Sequence, residues 1–256
     1  MKNKLGVMMT CYDEIDAVKH SIDQLRLYYP DIKIYLVTES KKDYNLIFKN
    51  YKNIFISYED DTMSFYYNIK NLHLVYQNEE IQNNIKKAFH AFIDRVHRAI
   101  EYSNSEYMLL MDPDVLIRGE LNIPKNKLLL GSLANKNVPQ SVRTILSNID
   151  GAIVINEWGA TPGLFHSKTF LKAYSKFCSI PNLLDNLVKN WYAMYAHDII
   201  IPILFALIGE KEHYNDDFTE CNTDPNWKTN NKKLVHHFKQ YYPNATVKFP
   251  WFFEHV

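Results

Sequence analysis

Hydrophobic positions in the first half of the chain alternate between short continuous runs and helical periodicity. Residues 5–10, Leu-Gly-Val-Met-Met-Thr, form a run of strand length. Ile15, Val18, Ile22, Leu25 and Tyr29 follow at helical spacing, and Pro30 closes the segment. Residues 33–38 predict a second strand, Tyr44, Ile47, Phe48 and Tyr51 a short helix, and residues 53–57 a third strand. Ile81, Ile85, Ala88, Phe92, Val96 and Ile100 then form one apolar stripe, about five helical turns long. Lys86, Lys87, Arg95 and Arg98 fall on the opposite side, read as a solvated face from which an arginine can reach an anionic ligand. Residues 107–111, Tyr-Met-Leu-Leu-Met, are the most hydrophobic strand and stop abruptly at Asp112-Pro113-Asp114.

The second half is less regular. Residues 152–155 and 163–165 predict strands, 168–177 and 199–207 predict helices, and the stretch from 234 to 256 is aromatic and His-rich. Alternating strand and helix predicts an α/β fold with one mostly parallel central sheet flanked by helices. No Pro-, Gly- or Ser-rich linker divides the chain, so residues 1–256 are expected to form a single domain. Residues 1–118 would be its ligand-binding half, and 119–256 would cover the carboxyl ends of the strands.

Composition narrows the function classes. The 256 residues lie near the upper limit for one hydrophobic core, and 46% are hydrophobic. Lys and Arg number 29, as do Asp and Glu, so the formal net charge is zero. That balance argues against a general nucleic-acid binder, and an anionic ligand must be met by a local site or a metal. Cys11, Cys178 and Cys221 are odd in number and lack a C-x-x-C pair, which favours free, mostly buried thiols in a reducing compartment. The longest apolar stretch, residues 199–208, is about half a membrane span, and the N-terminal run is too short for a signal-peptide core. A cytoplasmic protein without a membrane span is expected. Dinucleotide, P-loop, nucleophile-elbow and H-E-x-x-H motifs are all missing from the sequence.

The acidic pair carries the chemistry. Asp112 and Asp114 follow a run that must be buried, at the strand end where α/β sheets collect ligands. Pro113 stiffens the turn between them. Two hard oxygen ligands suit Mn²⁺ or Mg²⁺ with positions left open for diphosphate oxygens. A solvated acidic turn is the plain alternative, because Asp-x-Asp arises by chance in roughly every chain of this size.

With its preceding strand, Glu106 to Asp114 resembles the metal-binding segment of GT-A glycosyltransferases, including small viral and bacterial members. The resemblance covers most of the chain as an ordered set of elements, with few positions of motif grade. It implies a nucleoside diphosphate-sugar, with UDP favoured, as sugar donor and a glycan or other hydroxyl-bearing molecule as acceptor. Thr10 to Glu14 resembles the nucleoside loop, with Thr10 in contact and Tyr12 stacking on the base; Glu39 falls where an acid meets base or ribose. Residues 159–165, including Gly163, resemble the segment beside the donor sugar. Asp198 in Ala196-His197-Asp198 matches the catalytic base of inverting members, although Asp is equally favoured as a helix cap. A late histidine meets the metal in several members; His236 is preferred here over His237. Arg95 is the cation assigned to the diphosphate. An α/β nucleotidyltransferase and a non-catalytic carbohydrate-binding relative are the competing readings.

Overall fold

A computed structural model describes residues 3–11, 15–38, 42–59, 78–113, 115–191, 194, 197–220, 224, 226 and 228–236. The first half follows the pattern read from the sequence: β1 (Asn3–Cys11), α1 (Ile15–Tyr28), β2 (Lys33–Thr38), α2 (Tyr44–Phe48), β3 (Ile54–Tyr58), α3 (Glu79–Ser103) and β4 (Ser105–Met111). The short strand β5 (Leu116–Ile117) follows the acidic turn. Then come β6 (Leu129–Asn137), α4 (Gln140–Ser147), β7 (Glu157–His166), α5 (Ser167–Cys178), α6 (Leu183–Asn190) and α7 (His197–Ala206). Three short strands finish the described chain: β8 (His213–Tyr214), β9 (Phe218–Glu220) and β10 (Leu234–His236).

The main sheet has the order β3-β2-β1-β4-β7-β6-β8, and β5-β10-β9 form a small second sheet. Strands β3, β2, β1 and β4 are mutually parallel, whereas β7 runs antiparallel to both β4 and β6. Both faces of β2, β1 and β4 are covered, so those strands are apolar on both sides, whereas edge strand β3 leaves Phe55 and Tyr58 exposed. Tyr107, Leu109 and Met111 of β4 point into one core with Val18, Ile22 and Leu25 of α1. Met108 and Leu110 point into the other, with Ile85, Phe89, Ile93 and Val96 of α3.

Local signals set the ends of α3. The Asn78 side chain accepts from the Glu80 and Ile81 amides, and Asn104 closes the helix in the left-handed conformation (φ 47°), donating its N–H to Ile100 O.

Several expectations for the second half are corrected. Residues 152–155 are not a strand: Ile153 donates its amide to Ala206 O, Ile155 is buried, and Val154 is exposed. That apolar run packs against α7 instead of joining a ladder. Strand β6 and helices α4 and α6 have no counterpart in the periodicity reading. Cys178 is exposed, against the expectation of buried thiols, whereas Cys11 is buried as expected. Among the described residues no helix is long and apolar enough to cross a membrane.

Gly6 marks where β1 approaches the α3–β4 corner. A Cβ there would lie 2.6 Å from both Ser103 Cβ and Ser105 Oγ. Gly6→Ala should therefore lower stability by about 1–3 kcal/mol through overpacking, read as a fall in the urea midpoint with an unchanged far-UV spectrum.

Candidate functional site

The parallel strands bring their carboxyl ends to one rim. Met9 pairs with Met111, Cys11 with Thr38, and Thr38 with Tyr58. Thr10 and Asp112 each lie one residue beyond the Met9–Met111 pair, so they flank the crevice between β1 and β4 at roughly one strand spacing. The crossovers from β1 to β2 and from β3 to β4 move in opposite directions across the sheet. The crevice is therefore a topological switch point, where open α/β sheets bind ligands. Both Thr10 and Asp112 are half-buried.

Beyond Asp112 the chain turns back against α1. Ser21, fully buried in that helix, places its Oγ 2.7 Å from Pro113 O and 2.6 Å from Val115 O. Strand β5 then pairs antiparallel with β10, Leu116 with Val235 and Ile117 with Leu234. His236 ends β10 one step further on, alongside Val115, so the backbone carries the late histidine to the acidic turn from more than a hundred residues away. Arg118 N donates to Lys233 O, and the Asp217 carboxylate bridges the Asn122 amide and the Lys233 ammonium. These contacts fasten the segment after β5 to the residues that lead into β9 and β10.

Gly163 lies in β7, the other neighbour of β4, one step along the ladder from the Leu109–Leu164 pair. A Cβ on Gly163 would meet nothing within 4 Å, so open space adjoins β4 close to Asp112. The ladder between β6 and β7 shifts register from Leu130 to Ser132 and again from Ser132 to Lys136. Irregularities of this kind are common beside functional sites.

Arg95 does not face solvent. It is 8% exposed, with Nε 4.0 Å from Glu59 Oε2 just past β3. The helical pattern contained the signal: position 95 is three residues after Phe92 and four before Ala99, inside the apolar stripe. Arg98 Nη2 donates to Glu59 Oε1 at 2.8 Å, its Nη1 to Ser57 Oγ at 3.2 Å, and Ser57 Oγ donates to Glu59 Oε1 at 2.8 Å. Burial works against the Arg98 charge, but the Glu59 bond and field outweigh it, so its pKa moves up. Sequence reading missed Glu59, which sits beyond β3, roughly 14 Å or three strand spacings from β4.

Asp198 is the second residue of α7, inside the first turn rather than before it. Tyr12, Glu39, Asp114 and His237 lie outside the described residues, as do the side chains of Asp198 and His236. Among the described residues, no three His, Cys, Asp or Glu side chains gather as a metal site.

No protein-family model and no curated protein matches the chain. Among solved structures, the chain is similar to the bifunctional glycosyltransferase WbbM in its apo form, with 13% identity and a TM-score of 0.51 over 93% of this chain and 46% of that one. The fold is of the GT-A type. The chain spans less than half the length of WbbM. Galactosyltransferase LgtC in complex with donor and acceptor sugar analogues shares 14% identity over 90% of this chain and 86% of its own, with a TM-score of 0.48. The 4-diphosphocytidyl-2C-methyl-D-erythritol synthase of Anaerococcus prevotii shares 13% over 84% and 88%, with a TM-score of 0.42. At those scores the second and third likenesses carry no weight. In GT-A terms, the parallel half of the sheet supplies the rim, and the antiparallel β7 and small sheet close around it.

The Glu59 cluster holds the outer end of that rim. Glu59→Ala removes the carboxylate facing buried Arg95, and is expected to cost about 1–3 kcal/mol, measured by urea denaturation.

Proposed function

We propose that the chain is a glycosyltransferase that moves a sugar from a nucleoside diphosphate-sugar, a UDP-sugar by preference, to a hydroxyl of a glycan or other acceptor. The observation that carries this reading is the termination of buried β4 at half-buried Asp112, beside Thr10 at the switch point of a GT-A sheet. Asp112 and Asp114 would hold Mn²⁺ or Mg²⁺, joined by His236. The chemistry of this donor set fits, since carboxylate oxygens suit a hard divalent ion. When bound, the ion would neutralise charge developing on the departing nucleoside diphosphate.

The chain's own residues supply the rest. Thr10, Tyr12 and Glu39 would bind the nucleoside over β1 and β2, with Arg95 and its Glu59 partner at the outer end of the rim. Departure of the diphosphate gives the anomeric carbon oxocarbenium character. For inversion, which we favour, Asp198 would accept the proton of the attacking acceptor hydroxyl. Its position in the first turn of α7 is compatible with a charged carboxylate, which the helix dipole favours there.

Slow hydrolysis of UDP-, GDP- and dTDP-sugars with and without Mn²⁺ tests the reaction class. Asp114→Ala should abolish Mn²⁺-dependent binding of the UDP-sugar while the protein stays folded; unchanged affinity by calorimetry would remove the metal reading. Asp198→Asn should leave sugar-donor binding nearly intact and slow transfer by roughly 10²–10⁴-fold, the usual loss with a general base. Full turnover in that variant would reduce Asp198 to a helix-terminus residue.

A further inference from the structure

Ser21 is the polar exception in the buried stripe of α1. Ala17, Val18, Ile22 and Leu25 are buried apolar neighbours on the same helix, and Ser21 itself is 0% exposed. Serine hydroxyls within helices commonly bond back to a carbonyl one turn earlier. Ser21 instead reaches residues 92 and 94 positions away, with its Oγ 2.7 Å from Pro113 O and 2.6 Å from Val115 O. Both distances lie within O–H···O range, and the single proton serves one carbonyl at a time. The two accepting residues are those on either side of Asp114 in the sequence.

We infer that Ser21 is a positioning residue for the metal-binding turn, holding the Pro113 or the Val115 carbonyl so that the backbone carrying Asp112 and Asp114 is set before the ion arrives. This rests on the reading of Asp112-Pro113-Asp114 as the metal site. The physical reason is that a turn tethered to a buried helix beside a ligand loses less freedom when the ion binds. Support behind the ligands commonly governs metal affinity for the same reason. Helix α1 suits the task because Val18, Ile22 and Leu25 lock it into the core that also contains Met111, Val115 and Ile117.

The test is Mn²⁺ binding to the full chain, followed by electron paramagnetic resonance, for wild type, Ser21→Ala, Ser21→Thr and Ser21→Cys, with thermal midpoints taken in parallel. Ser21→Ala should weaken Mn²⁺ at least tenfold, within the 10–100-fold range of supporting-residue losses. Ser21→Thr, which keeps a hydroxyl, should restore most of the affinity. A lower thermal midpoint in Ser21→Ala with wild-type Mn²⁺ affinity would overturn the inference, because the hydroxyl would then serve packing alone. Should Ser21→Ala fail to fold, Ser21→Thr must still bind Mn²⁺ more tightly than Ser21→Cys, whose thiol is a weak donor; equal affinities would overturn it as well. If wild type binds no Mn²⁺ while remaining folded, the metal reading itself has failed and the role of Ser21 falls with it.

Discussion

Burial of β4 on both faces is the constraint on which the rest of the structure depends. Its side chains alternate between the α1 core and the α3 core, and no position from Tyr107 to Met111 is open to water. A carboxylate within that stretch would carry a heavy desolvation cost. Asp112 is therefore the first place where charge can appear, and it appears at the rim beside Thr10. Fold and site share one cause: the residues that make β4 a central strand also fix where its polar end must emerge.

The neighbours of β4 add a second consequence. Parallel β1 lies on one side and antiparallel β7 on the other, so the acidic turn sits where the sheet changes direction. The parallel side offers the ends of several strands at one level. The antiparallel side passes through that level instead of ending there, which puts a backbone segment containing Gly163 beside β4. A ligand at the rim would meet chain ends on one flank and a strand edge on the other.

How legible this was depended on the range of the interactions. The βα units up to Met111 could be read because each element carries its own periodicity. The observed β2, Lys33–Thr38, coincides with the expected strand. Residues 152–155 misled because β-branched apolar residues serve equally well in a ladder or in packing against a helix, and only the pairing partner decides. Strand β6 was missed because its latter half, Ser132 to Asn137, is polar and irregularly paired. Arg95 misled for another reason: its charge was read before its position, although its place between Phe92 and Ala99 already lay in the apolar stripe.

The site divides along the same line. Asp112 was visible because an apolar run ended there, a local signal. Nothing near residue 21 points to the acidic turn, since the contact spans more than ninety residues, and a serine within an amphipathic stripe is unremarkable in sequence. The small sheet is equally non-local: Val235 pairs with Leu116 because β9 and β10 return to the core that also contains α1 and β5. Chemistry that ends a strand can thus be read from one segment. The supports behind it come from elements that share only a core, and they become visible once that core has formed.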